Sequence, residues 1–344
     1  MKIFKTSIIF FLIFFAVNCN KQSSEKAILV IHGGAGWISK GTISEELENE
    51  YKLKLKESLI AGRKILNNKG SSLDAVQASI RILEDSHLFN AGKGSVFTHD
   101  EKIEMDSSIM DGYSGNAGSV SGVTTIKNPI DLAREILDNS VHVFLSGKGA
   151  EDFAIERGLV KVDESYFFTK KNYDKLIQVK MENQDIKEEK IGTVGAVAID
   201  FQNNISAGTS TGGMTNKRYG RVGDVPVIGA GTYAENGVCG ISATGHGEFF
   251  IRNVVAYDIA ARIKYKNENI QKKLTRRYKE IFELFVKHHD KISRVTFWGT
   301  TDKYTWRNEN PIRGRTDYPL LFDREYSKKP AYFELLDIDT STIK

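Results

Sequence analysis

A polar run from Lys161 to Lys190 gives way without transition to IGTVGAVAID, residues 191–200, and ISAGTSTG follows at 205–212. Small and branched apolar residues fill the first segment, the composition of a buried strand. Gln202-Asn203-Asn204 separates it from the second, so together they read as a hairpin. Other blocks on both sides must cover such a hairpin. AILVIHGGAG (27–36) reads as a strand ending in a glycine turn, residues 43–67 carry helical spacing, and Ser71, Ser72 and Asp74 sit where a cap would for a helix over 73–85. A glycine-punctuated, strand-like stretch spans 89–112. Strands are predicted at 118–126 and 141–147, and helices at 130–139, 150–158 and 251–265. Residues 160–192 lack periodicity and read as an exposed, flexible linker. Alternating strand and helix blocks with hairpins predict a layered α/β protein with mixed sheets.

The chain has 344 residues, 40% apolar content and a formal charge of +4. That charge demands no nucleic acid, and no basic stripe interleaves with aromatics. Cys19 and Cys239 are the two cysteines, which excludes a disulfide framework and a cysteine-rich zinc site. The lone histidines (His87, His99, His142, His288, His289) lack metal spacing. Residues 1–19 have the layout of a secretory signal: Lys2 and Lys5, an apolar run from Ile8 to Val17, then Ala16-Val17-Asn18-Cys19, which resembles a bacterial lipoprotein cleavage site. Residues 20–26 read as a tether. The expectation is an exported protein, periplasmic or an outer-membrane lipoprotein of a bacterium, with Cys19 as the lipidation site.

Thr193 stands at the mouth of the first hairpin strand. A threonine hydroxyl is a weak nucleophile that needs a base within hydrogen-bond reach. Its own α-amine can serve, with an unperturbed pKa of about 8, if the chain is cut between Gly192 and Thr193. Downstream lie Thr211, then Arg221 and Asp224 in a glycine-flanked loop, then Thr244-Gly245-His246-Gly247. Arg221 can hold a carboxylate bidentately and Asp224 an α-ammonium. A threonine hydroxyl with glycine amides can form an oxyanion hole. The same letters allow a rival. Gly208-Thr209-Ser210-Thr211-Gly212 fits a G-x-S-x-G elbow with Ser210 as nucleophile, but an elbow needs a helix directly after the serine, and GGMTNKRYGRVG follows.

HGGAG, LFNAGKGSVFT, MDG, IGTVGAVAID, STGGMTNKRYGRVGD and ATGHGE, in that order, resemble the plant-type asparaginases, or isoaspartyl peptidases, among the N-terminal-nucleophile hydrolases. The resemblance covers residues 27–270. It implies an αββα sandwich, a precursor that cuts itself between Gly192 and Thr193, and hydrolysis of L-asparagine and isoaspartyl dipeptides. It further implies Thr193 as nucleophile, Thr211 orienting it, and Asn90 nearby. Arg221 and Asp224 would clamp the substrate beside Gly245 and Gly247, with Thr244 and Gly245 at the oxyanion. His246 is open between facing the substrate and packing. The backbone carbonyls of Leu83, Glu84, Ser86, Phe89, Ala91 and Lys93 match a sodium-holding loop of relatives; no other cofactor is implied. Relatives pair processed αβ units into dimers. The glycosylasparaginase branch, which cleaves the sugar–asparagine bond, is the alternative substrate reading.

After Leu274 the pattern changes. The glycine-rich turn and strand pair expected to close the β-chain sheet do not follow. Residues 277–336 resemble instead the C-terminal end of family 10 glycoside hydrolases, the xylanases, with RVTFWG (294–299) in the place of a barrel strand. A (β/α)8 barrel cannot form from this piece alone, and the regions matching both xylanase carboxylates are missing. The expected organisation is an α chain at 27–192, a truncated β chain at 193–274 and a xylanase-like fragment at 275–344. An inactive chimeric fusion is the alternative from another class.

Overall fold

In the computed structural model, which describes residues 26–35, 43–182, 192–266, 270–290, 302 and 320–338, the expected hairpin forms the centre of a sheet. The strands are β1 (Ile28–His32), β2 (Met105–Asp111), β3 (Ala117–Val123), β4 (Phe144–Ser146), β5 (Val194–Ile199) and β6 (Ile205–Thr211), in the spatial order β1-β5-β6-β2-β3-β4. Only the β3–β4 pair is parallel; the other pairs are antiparallel, which makes the sheet mixed as predicted. The 141–147 strand shrinks to three residues at a sheet edge, with Val141 and Val143 exposed.

Helices α1 (Glu45–Asn67), α2 (Ser72–Glu84) and α3 (Pro129–Asn139) cover one face of the unit, α2 and α3 lying directly on the sheet. Both early helices start where side chains can cap them. Ser44 Oγ accepts from the Leu47 N–H and Ser71 Oγ from the Asp74 N–H, at 3.2 and 3.1 Å. Val76, Ile80, Ile130 and Ile136 pack against Val194, Ala196 and Ala198 in one core. Helix α4 (Gly147–Glu156) closes the β4 edge.

The opposite face is covered by a second hairpin, β7 (Thr232–Glu235) and β8 (Cys239–Ser242), over β6, β2 and β5. Met110, Ile205, Ala207 and Ala234 form the small core between the layers. This hairpin is absent from the sequence reading above, although Asn236-Gly237 is a strong hairpin signal; Gly237 takes the left-handed turn position at φ 76°. Among the described residues nothing covers β1 on this face, and Ile28 and Val30 are more than half exposed.

Two expectations are corrected. The stretch read as a flexible linker contains a 3-10 turn (Glu164–Phe167) and a helix, α5 (Lys170–Met181). Its anchors are sparse, which hid the period: Phe167 and Leu176 are fully buried, and Asn172 Nδ2 donates to the Gly94 carbonyl at 2.8 Å. Residues 183–191 lie outside the described residues. The single helix predicted over 251–265 is two, α6 (Gly247–Asn253) and α7 (Val255–Lys266), broken at Val254 with φ 46°. The first amides of α7 bond to the 229–230 loop instead of the preceding turn: Tyr257 N–H to Gly229 O and Ala256 N–H to Ala230 O.

The chain divides into two compact units, Met1–Asp258 and Ile259–Lys344. In the second, α8 (Ile270–Lys287) packs with α9 (Pro330–Leu336), and Lys279 pairs with Glu334 at 3.1 Å. Asp302 is fully buried there and accepts from Lys329 Nζ at 2.9 Å and from the Leu320 N–H at 2.8 Å. The segment read as an export signal, with Cys19, and RVTFWG lie outside the described residues. Among the described residues no helix is long and apolar enough to cross a membrane.

Candidate active site

Strand parity decides which side chains share the space between the sheets. On β5, Val194, Ala196 and Ala198 point to the helices, so Thr193, one residue before the strand, points to the second hairpin. Thr211 closes β6 on the same side. Thr193 Oγ1 donates to Thr211 Oγ1 at 3.1 Å, and the Thr193 N–H donates to Thr244 Oγ1 at 3.3 Å. Thr211 Oγ1 also accepts from the Gly213 N–H at 3.0 Å. Three threonines far apart in sequence thus meet at the N-terminal end of β5, with Thr193 buried.

Asn90 secures this end: its Nδ2 donates to the Gly213 carbonyl at 2.8 Å and its Oδ1 accepts from the Val96 N–H at 3.1 Å. Gly192 packs backbone to backbone against Gly34, where any Cβ would collide with the Gly192 main chain, and Gly34 has φ 117°. Gly34→Ala is therefore expected to displace the Gly192–Thr193 peptide and to destabilise the fold by a few kcal/mol, measured as a fall in thermal midpoint.

Arg221 and Asp224 lie beside each other under Gly247. A Cβ on Gly247 would come within 2.8 Å of both Arg221 Nη2 and Asp224 Oδ1, so this glycine admits both groups. Asp224 is buried, and burial raises its carboxyl to about 6. Among the described residues its Oδ2 has no hydrogen-bond partner, so it offers an acceptor. Arg221 is engaged by Glu248, Nε to Oε1 at 3.0 Å and Nη2 to Oε2 at 3.1 Å. These bonds hold Glu248 below the usual carboxylate range. Glu248, which follows the Thr244-Gly245-His246-Gly247 loop in ATGHGE, is a site residue absent from the motif reading; its place next to Gly247 was the available signal. His246 caps no helix amide through its side chain; its ring meets Phe249 edge-on at 6.1 Å, which favours the packing alternative.

Ser210 points the other way. It lies on β6 toward the helices, fully buried, and donates to Glu84 Oε1 at 2.6 Å. An irregular loop follows it, without a helix, so the elbow reading fails on both counts. In the loop proposed for sodium, the carbonyls of Leu83, Phe89 and Ala91 each accept an amide, from Ser86, Ala91 and Gly94. A carbonyl has a second lone pair, so these oxygens suit a hard monovalent cation. Lys93 directs its Nζ over the Tyr166 ring, 5.1 Å from the centroid. Among the described residues no His, Cys, Asp and Glu cluster could hold a metal ion.

Residues 25–289 match the family described as asparaginase, and residues 252–338 match glycosyl hydrolase family 10. A Dictyostelium discoideum protein is 46% identical over 278 residues, 70% of this chain and 80% of its own length. The isoaspartyl peptidase of Escherichia coli is 45% identical over 249 residues, 70% of this chain and 78% of that one. The human isoaspartyl peptidase/L-asparaginase is 41% identical, across 65% of this chain and 73% of its own. Among solved structures, an endoxylanase from a sugarcane soil metagenome is 60% identical over 20% of each chain, with a TM-score of 0.20. Likeness of that extent concerns a segment and carries nothing about the architecture of the whole.

Proposed function

Since the chain belongs to the asparaginase family, we propose that it is a self-cleaving threonine amidohydrolase that converts isoaspartyl dipeptides and L-asparagine to L-aspartate. One observation carries the reading: Thr193 Oγ1 and N bond to the hydroxyls of Thr211 and Thr244, on the side of the sheet where Asp224 keeps a free acceptor. The layers support an αββα sandwich whose second sheet shows two strands among the described residues.

In the first reaction Thr193 Oγ1 attacks the Gly192 carbonyl carbon. The C–N bond breaks, its nitrogen takes the hydroxyl proton, and water hydrolyses the resulting ester. Gly192 leaves as a carboxylate, and Thr193 becomes an N-terminus. In the second reaction the new amine, still beside Thr244, takes the Thr193 hydroxyl proton. The alkoxide attacks the substrate's side-chain carbonyl. Thr244 Oγ1 and the Gly245 N–H stabilise the oxyanion, which is the step where preorganised donors count most. The leaving amine takes the proton back, and water releases aspartate. Arg221 binds the α-carboxylate, which displaces Glu248; Asp224 binds the α-ammonium.

Protonated Asp224 cannot serve as that acceptor. With its carboxyl raised to about 6, KM for β-Asp-Leu is expected to rise as pH falls through about 6, roughly tenfold for each further pH unit. An initial-rate series from pH 5 to 8 reads this directly. The function itself is tested by aspartate release from β-Asp-Leu, L-asparagine and N-acetylglucosaminyl-asparagine. Preference for the last would move the chain to the glycosylasparaginase branch.

A second reading rests on the family 10 match over 252–338: an asparaginase-type α chain at 27–192 and truncated β chain at 193–274 joined to a xylanase-like fragment at 275–344, folded but inactive. Purified chain that stays uncut while folded would favour it. We further propose export by residues 1–19, lipid attachment at Cys19 in the periplasm or outer membrane, a sodium ion in the 83–93 loop, and a homodimer of processed units.

A further inference from the structure

Five side chains between the sheets form one continuous line. His32 Nε2 lies 2.9 Å from Ser242 Oγ, which lies 2.8 Å from Thr209 Oγ1. Thr209 Oγ1 is 2.6 Å from Thr232 Oγ1, Thr232 is 2.8 Å from Ser108 Oγ, and Ser108 Oγ is 2.6 Å from the Val225 carbonyl. The line therefore crosses β1, β8, β6, β7 and β2 and stops at the residue after Asp224. It begins two residues along β5 from Thr193, since His32 pairs with Gly195 across β1 and β5.

Its direction follows from valence. A hydroxyl has one proton, and a carbonyl can only accept. Ser108 therefore spends its proton on Val225 O. Every bond forms only if Thr232 donates to Ser108, Thr209 to Thr232 and Ser242 to Thr209. Ser242 must then accept from His32, which places the imidazole proton on Nε2. One further fact agrees. Nδ1 is buried and makes no well-formed hydrogen bond, as befits a bare lone pair. Burial also lowers the ring to about 4, against a smaller opposing pull from the nearby Thr193 main chain, so the ring is neutral at neutral pH.

We infer that His32 is a positioning residue: its Nε2–H heads a hydroxyl relay that locks the second hairpin onto the main sheet and holds the Asp224 loop in register with Thr193. The sequence reading saw His32 only as the first letter of HGGAG. The inference rests on the proposed amidase reading, and the test separates the two.

Full-length wild type, His32→Gln, His32→Leu and Ser242→Ala are compared for Gly192/Thr193 cleavage rate and, once cleaved, for KM and kcat on β-Asp-Leu. Gln can place an N–H near the Nε2 position; Leu fills similar volume and has no donor. His32→Leu and Ser242→Ala are expected to raise KM at least tenfold, while His32→Gln stays within about threefold of wild type. Equal behaviour of His32→Gln and His32→Leu overturns the inference, because volume alone would then suffice. Should the His32 variants fail to fold, Ser242→Ala decides: unchanged KM and cleavage overturn it. Nitrogen NMR of histidine-labelled wild type adds a second readout, with the Nε2–H neutral tautomer expected and the Nδ1–H tautomer contradicting it. Wild type that neither cleaves nor hydrolyses overturns the amidase reading instead, and leaves the tautomer measurement to judge His32.

Discussion

Thr193→Ala is expected to give an uncut chain of 38.5 kDa without amidase activity, where the wild type gives two fragments. The alanine removes the one hydroxyl that both proposed reactions use. Loss of a nucleophile in enzymes that form acyl intermediates costs on the order of 10⁶ in kcat, so the residual rate should be background. The surroundings should survive. Thr193 is buried, but its side chain contributes one hydrogen bond, to Thr211. Breaking that bond between neutral hydroxyls costs about 1 kcal/mol, well inside the stability of a folded domain. Thr193→Ser separates chemistry from geometry. It keeps the oxygen but loses the methyl that restricts χ1, so cleavage should continue more slowly. Denaturing gels and N-terminal sequencing of freshly purified protein check both variants. A Thr193→Ala chain that still splits at Gly192 would end the N-terminal-nucleophile assignment.

Much of this site could be read from sequence because its chemistry sits at strand ends with small residues around them. Thr193 and Thr211 terminate two strands whose apolar content is plain, and the hairpin forces them together. Arg221, Asp224 and Gly247 follow from one glycine-rich loop meeting another. Side-chain alternation was harder to use, because β6 is buried on both faces. Ser210 and Thr211 look alike in sequence, yet one faces Glu84 and the other Thr193. The hairpin β7–β8 was missed because its strands have four residues each, too few for a period. Helix α5 was missed for a different reason. Its charged surface hides a single buried anchor, Leu176, and only the tertiary core shows that this residue and Phe167 of the preceding 3-10 turn are needed. The hydroxyl line from His32 to Ser108 has no sequence signal, since it exists only when five strands are stacked in register.

Glu84→Gln is expected to remove much of the loss of stability between about pH 4.5 and pH 8. Glu84 lies in the helix-side core, fully buried, and accepts from Ser210 Oγ at 2.6 Å and the Ile130 N–H at 3.0 Å through Oε1. Among the described residues its Oε2 makes no well-formed hydrogen bond. Burial dominates, and raises the carboxyl from 4.5 to about 8. The native chain thus keeps a proton that the unfolded chain has already released. This group's contribution is fully present below about 4.5 and is lost as pH rises through about 8. The loss approaches 1.4 kcal/mol per pH unit within that window, several kcal/mol in all. His32 works in the opposite sense: lowered to about 4, it costs stability as pH falls below 6.5. Asp106 and Asp131 are raised by burial too and share the sign of Glu84, so some slope will remain in the variant. Gln cannot ionise, and can still accept from Ser210 and Ile130, but its amide brings donors with no acceptor at Oε2. The variant should melt lower than wild type near pH 5 and higher at pH 9. Because Ser210 lies between Thr209 and Thr211 on β6, ionisation of Glu84 should also pull the strand that orients Thr193. Wild-type activity is therefore expected to fade with a midpoint near pH 8, where the native carboxyl ionises and the melting profile levels off, and Glu84→Gln to hold its rate there. Parallel melting and rate profiles from pH 4 to 9 would show whether the rate falls where the melting profile levels off; a Glu84→Gln profile that tracks wild type through pH 8 would place the charge elsewhere.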